Sequence, residues 1–214
     1  MALQDLLNIS RDRKKLGISP ERVEAIKPIL RQYIAYWREY PDMFVDFLQT
    51  GNDPTRKKTL NFYAYQRVFL RISVRYRQVY AVFPRGYSKS FLAVLSLMVR
   101  AILYPGSKLF TSAGGKSQSA GILKEKVDEI CTLVPAFRKE IDRSPGTTQE
   151  TKDKCVYRFK HGSYFDNVAA NEKARGGRRH AAVFEECVGI DGKVLQEVLI
   201  PMLSISRRCL DGTV

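Results

Sequence analysis

The most apolar stretch of the chain is Phe91–Leu103. There Phe91, Leu92, Val94, Leu95, Leu97, Met98, Val99, Ile102 and Leu103 leave almost no polar side. A helix that is apolar all round is a buried one, and this run is too short and too interrupted to cross a membrane. Immediately upstream, Val79–Phe83 is β-branched and aromatic throughout, which predicts a buried strand. Pro84–Ser88 is a tight turn between them, and Lys89-Ser90 opens the helix.

The rest of the pattern alternates in kind. Ser19-Pro20-Glu21 is a helix start, with a hydroxyl cap, proline in the first turn and an acid near the positive end of the dipole. That helix is predicted to reach Tyr40, with Val23, Ile26, Ile29, Leu30, Tyr33, Ile34 and Trp37 on its apolar side and Pro28 as a kink. Pro41 begins a short helix, the segment from Gly51 to Thr59 is a polar loop, and Asn61–Arg71 is helical. Downstream come a strand at Ser107–Ser112, a loop at Ala113–Gln118 and an amphipathic helix through Leu123, Val127, Ile130 and Val134. Ala136–Lys154 is loop-rich, and a hairpin follows around His161-Gly162. A basic glycine-rich turn, Ala174–Arg179, leads to an apolar strand, Ala181–Phe184, that ends in Glu185-Glu186. An amphipathic helix follows Asp191, and Ser204–Leu210 reads as a further strand. Strand–helix alternation of this kind predicts an α/β fold with a mostly parallel central sheet flanked by helices.

Composition sharpens the picture. The chain has 214 residues, 44% of them hydrophobic, enough for a well-packed core. A formal net charge of +14 suggests a polyanionic partner, either nucleic acid or an anionic membrane surface, with a solvated basic surface as the alternative. Residues 1–18 contribute a basic lead-in with Arg11, Arg13, Lys14 and Lys15. Cys131, Cys155, Cys187 and Cys209 form no paired motif with His161 or His180, so no zinc site is expected. Without a leader or spanning pattern the reading is intracellular, with reduced thiols.

The candidate chemistry sits at two places. Strand, small-residue turn, Lys-Ser and buried helix are the physical layout of a phosphate-binding loop. Outward-pointing N–H groups at a helix start cradle phosphates, Lys89 reaches the β and γ positions, and Ser90 offers its hydroxyl to Mg²⁺. Phe83 and Ser88 stand where the usual glycines would be, and Gly86 remains. Glu185 and Glu186 emerge at a strand's carboxyl end, where open parallel sheets bind ligands. Two acids there divide nucleotide hydrolysis, one holding hydrated Mg²⁺ and one orienting or deprotonating the attacking water. Gln66 is the third candidate: its amide has the donor and acceptor that suit the edge of adenine, although by itself it reads rather as a solvent-facing helix residue.

Five landmarks fall in a familiar order: Tyr65-Gln66, the arginine-containing loop PRGYSKS, the hairpin FKHGSYF, the A-R-G turn, and the apolar strand ending in EE. Over roughly residues 40 to 203 the chain resembles the N-terminal ATPase domain of the large terminase subunit, the DNA-packaging motor of tailed bacteriophages. The resemblance implies a P-loop NTPase of the ASCE, RecA-like kind, preceded by an N-terminal helical segment. It divides the chain into a helical lead-in at residues 1–60 and an ATPase core at residues 61–214, and the nuclease domain of full-length members is absent from this chain. It implies ATP and Mg²⁺. Tyr65, Gln66, Arg85, Gly86, Tyr87, Ser88, Lys89 and Ser90 would contact nucleotide, Ser90 and Glu185 the metal, and Glu186 would be the catalytic acid. Arg85 would approach the γ phosphate. Arg143, Arg175 and Arg178 are the candidates for an arginine that completes a neighbouring subunit's site. Glu185 stands where the family usually has aspartate, and the family's hydroxyl-rich coupling motif is not clear in this sequence, Ser204-Ile205-Ser206 being the candidate relic of it. Implied partners are double-stranded DNA, further copies in a ring expected to be a pentamer on the phage portal, and the procapsid, in the host cytoplasm and without a membrane. A helicase-like ATPase and a non-enzymatic basic DNA-binding module are the alternatives.

Overall fold

The computed structural model describes residues 20–51, 55 and 57–203. The basic lead-in, the Ser19 cap, Cys209 and the Ser204–Leu210 strand lie outside the described residues. Helices α1 (Pro20–Glu39), α2 (Pro41–Thr50), α3 (Ala64–Arg75) and α4 (Lys89–Leu103) precede strand β1 (Lys108–Ser112). Then follow α5 (Lys116–Leu133), α6 (Ala136–Glu140), β2 (Gln149–Glu150), β3 (Cys155–Arg158), β4 (Tyr164–Asn167) and β5 (Ala181–Phe184). A short turn of helix α7 (Gly192–Val194) continues into π-helical Leu195–Leu199.

The five strands form one sheet in the order β2-β3-β4-β1-β5. β1 runs parallel to both β4 and β5, whereas β3 is antiparallel to β4 and β2 to β3. The sheet is therefore mixed, which corrects the expectation of a mostly parallel one. The cause is local: Gly162, at φ +86°, lets the chain reverse tightly between β3 and β4, and a hairpin can join only antiparallel strands.

The second correction concerns Val79–Phe83. Its backbone pairs with no strand among the described residues, and Tyr80 and Val82 are 76% and 79% exposed. Its apolar character is used only at its end, where the Phe83 ring packs on Tyr65 and Phe69 of α3.

Alternation along the strands separates two cores. In β1, Leu109 faces the larger core with α4 and α5, and Phe110 faces the smaller one with Leu199 and Met202. In β5, Ala181 and Val183 join the first, and Ala182 and Phe184 the second. α4 is buried along nearly its whole length, as its composition predicts. Trp37, Phe44 and Val45, from α1 and α2, belong to the same cluster as α4. On α1, by contrast, Ile29 and Tyr33 are more than half exposed, so less of its apolar side is covered than the pattern suggests.

A charged knot fixes α2 on α3. Asp42 is fully buried and accepts hydrogen bonds from Arg71 Nε (2.8 Å) and Nη2 (2.8 Å) and from Arg67 Nη1 (2.9 Å). Arg67 also reaches Asp46 at 3.0 Å. Burial by itself raises the Asp42 carboxyl, but the hydrogen bonds from Arg71 and Arg67 outweigh it and hold the group below its ordinary 3.8. A depressed folded-state value means that the stabilisation is complete above the unfolded value and is lost as pH falls through the folded one. Asp42→Asn is expected to destabilise the fold by about 3 kcal/mol at neutral pH, since it strands two guanidinium groups at a buried contact. It should also flatten the acid limb of the stability curve below about pH 4. Urea titrations of both proteins across that range check both effects.

Candidate functional site

The carboxyl ends of β1, β4 and β5 share one edge of the sheet, and the N-terminus of α4 meets it. Ser90 Oγ donates a 3.1 Å hydrogen bond to Glu185 Oε2, and Lys89 Nζ lies 3.8 Å from Glu186 Oε1. The lysine-bearing turn and the paired acids, far apart in the chain, thus face each other. Lys89 and Glu186 are both about half exposed, so their ion pair adds little stability. Its significance is positional.

Backbone geometry on each side is unusual. The described residues include only two non-glycine positions with positive φ, Ser88 (+52°) and Glu186 (+49°). Ser88 stands where a phosphate loop ordinarily has glycine, and the left-handed conformation is the reason glycine suits that place. At Glu186 the same conformation breaks the strand's alternation. Glu185 points to the α4 side in step with Val183; Glu186 would otherwise point to the opposite face. The left-handed turn brings its carboxylate back toward the same helix start. Strain of this kind is held where the surrounding structure over-determines it, and functional sites are where it gathers.

Glu185 is 7% exposed, and its Oε1 is buried without a hydrogen-bond partner. Burial pushes its carboxyl upward, against the opposing effects of the Ser90 bond and the Lys89 charge. A buried orphan oxygen beside a hydroxyl is a donor set for a hard cation, which takes oxygen ligands and keeps several waters. Ser90 and Glu185 therefore fit Mg²⁺. Among the described residues no cluster of three or more His, Cys, Asp or Glu side chains could hold a metal by itself. Cys131 and Cys155 are buried free thiols.

One neighbour of these acids was not legible in the sequence. Gln118 Nε2 donates 3.1 Å to Glu186 Oε2, so the acid is held between Gln118 and Lys89. Gln118 belongs to the first turn of α5, just past the carboxyl end of β1. The preceding loop can sit this low because Gly114 has no side chain: a Cβ there would lie 3.2 Å from the Gly189 carbonyl oxygen. Its one signal in the sequence is its place after a parallel strand, on the edge where ligands bind.

The other candidates are distributed unevenly. Gln66 is buried, and its Oε1 accepts 2.9 Å from the Tyr63 backbone N–H, capping α3. That oxygen is committed to the helix start. Tyr65 packs near the loop, with ring centroids 5.5 Å from Tyr87 and 6.3 Å from Phe83. Arg85, Gly86 and Ser88 are exposed in the turn, Gly86 at φ +82°. Arg143 is exposed at the opposite edge, next to Asp142, whose N–H donates to the Arg158 carbonyl at the end of β3. Arg175 and Arg178 are exposed in the β4–β5 connection. Neither is brought to Lys89 or Glu186 within the chain.

No protein-family profile matches the chain, and no curated protein matches it. Among solved structures it is similar to the large-terminase ATPase domain of Thermus phage P74-26, at 19% identity and a TM-score of 0.43. That alignment takes in 56% of this chain and 52% of that one. An arginine-to-alanine variant of the same phage domain aligns over the same shares at 19% identity, with a TM-score of 0.40. The chain thus spans about half the length of the solved domains it matches.

The left-handed conformation at Ser88 makes a direct prediction. Ser88→Val forces a β-branched residue into that region and should cost more than about 1 kcal/mol, whereas Ser88→Gly should cost nothing. Urea midpoints of the two variants against the parent check the assignment.

Proposed function

We propose that this chain is an ATP-hydrolysing motor domain that drives double-stranded viral DNA into a procapsid, of the large-terminase kind. The observation that carries the reading is the 3.8 Å approach of Lys89 to Glu186, with Ser90 on Glu185 beside it. A triphosphate entering there displaces the Lys89–Glu186 pair and is gripped by the same groups. Lys89 and the free N–H groups of the α4 start hold the β and γ phosphates, and Arg85 in the exposed turn approaches the γ phosphate from outside. Tyr65 and Tyr87 flank the base, beside the Nε2 group of Gln66. Ser90 and Glu185 would hold Mg²⁺, which would supply neutralisation of the triphosphate's charge. Glu186, steadied by Gln118, orients the attacking water and accepts its proton as the water oxygen bonds to the γ phosphorus and the bond to the β–γ bridging oxygen breaks.

Arg143, Arg175 or Arg178, none of which pairs with Lys89 or Glu186 among the described residues, serves a neighbouring copy in a ring on the phage portal. Such a residue is worth ~10³ or more in rate. The +14 charge suits a motor whose grip on DNA ignores sequence. The site of action is the host cytoplasm. No described helix is long and apolar enough to cross a membrane.

Mg²⁺-dependent phosphate release, followed across a protein-concentration series so that neighbours can complete the site, tests this reading. Glu186→Gln is expected to lower kcat by about 10² or more while ATP still binds. Lys89→Ala should weaken ATP binding as well. Hydrolysis by Glu186→Gln at the parent rate would falsify the catalytic assignment.

A further inference from the structure

We infer that Lys116, Lys152 and Lys154 form a prebuilt platform for the phosphate backbone of duplex DNA, an assignment that rests on the motor reading above. All three side chains are exposed. They come from two separate segments, the start of α5 and the turn before β3, which one buried amide stitches together. Asn167 Nδ2 donates to the carbonyl oxygens of Lys116 and Asp153, each at 3.1 Å, and lies 3.3 Å from Ser119 Oγ. Its Oδ1 accepts 2.7 Å from the Cys155 N–H. The Ser117 hydroxyl is also bonded to the Asp153 carboxylate, so the acid between the lysines is engaged within the platform. The turn itself is closed by Thr151, whose N–H donates to the Lys154 carbonyl at 2.8 Å and whose hydroxyl accepts from the Lys154 N–H at 3.1 Å.

A backbone fixed in this way needs no ordering when its three cations meet a polyanion. Duplex DNA presents one negative charge per roughly 1.7 Å of helix axis and no fixed sequence requirement, which matches lysine point charges rather than a directional base reader. The platform lies at the same sheet edge as the nucleotide groups. Lys116 is two residues from Gln118, whose amide holds Glu186. The proposed DNA surface and the amide that holds Glu186 thus share the first turn of α5.

The test is the salt dependence of binding to a short blunt duplex of mixed sequence. Replacing Lys116, Lys152 and Lys154 with alanine should lower the slope of log K against log salt by about 2.7, about 0.9 for each phosphate no longer neutralised, and weaken binding at least tenfold at low salt. A charge-matched control, Lys108, Lys139 and Lys160 to alanine, removes three lysines from the opposite edge and should leave the slope nearly unchanged. Arginine at the three platform positions should keep the parent slope. An unchanged slope in the alanine variant, or an equal fall in the control, overturns the platform. So does tighter binding of polyglutamate than of duplex, which would assign the surface to an acidic protein. ATP hydrolysis by the unaltered chain is read separately: a platform that binds DNA in a chain without hydrolysis refutes the motor reading alone, and hydrolysis with an unmoved slope refutes the platform alone.

Discussion

The parallel ladder between β1 and β5 is the constraint on which the site depends. It pairs Leu109 with Ala181 and Ser112 with Phe184, and so fixes how far Glu185 and Glu186 protrude beyond the sheet. A slip of one residue would turn Ala181 and Val183 away from α4 and α5 and swing Glu185 off Ser90. The two cores resist that slip from both faces, because Leu109 and Phe110 are each fully buried in a different one. Packing energy therefore sets the position of a polar pair that contributes almost nothing to stability itself.

Two left-handed residues convert that placement into a site. Ser88 closes the turn onto α4 and Glu186 reverses the direction its side chain would take from β5. Without the second, the two acids would lie on opposite faces, one against α4 and one toward the smaller core. The buried, unpaired Oε1 of Glu185 and the shared hold of Gln118 and Lys89 on Glu186 show two carboxylates in contrasting surroundings. Such contrast is what the proposed division of roles between the two acids requires.

Much of this was legible in the residues. The all-round apolar run of α4, the short strand ahead of Glu185 and the hairpin around Gly162 follow from periodicity and turn chemistry. The meeting of Lys89 with Glu186 follows from the rule that ligands bind outside the carboxyl ends of parallel strands. What escaped depended on tertiary partners. Val79–Phe83 has the composition of a strand, but a strand exists only where a neighbour accepts its hydrogen bonds, and composition does not report the neighbour. Gln66 was legible as an amide suited to a base edge, but its capping contact was not: as the third residue of its helix it accepts from the backbone N–H of the N-cap residue Tyr63. Gln118 and Asn167 looked like ordinary polar residues, and their roles rest on loop approaches set by Gly114 and by the β3–β4 pairing.

The most direct measurement is a structure of the chain with Mg²⁺ and a nonhydrolysable ATP analogue. The account predicts the γ phosphate between Lys89 Nζ and the Glu186 carboxylate, with the ion against Ser90 and Glu185. Triphosphate bound elsewhere, with Lys89 still paired to Glu186, would contradict it.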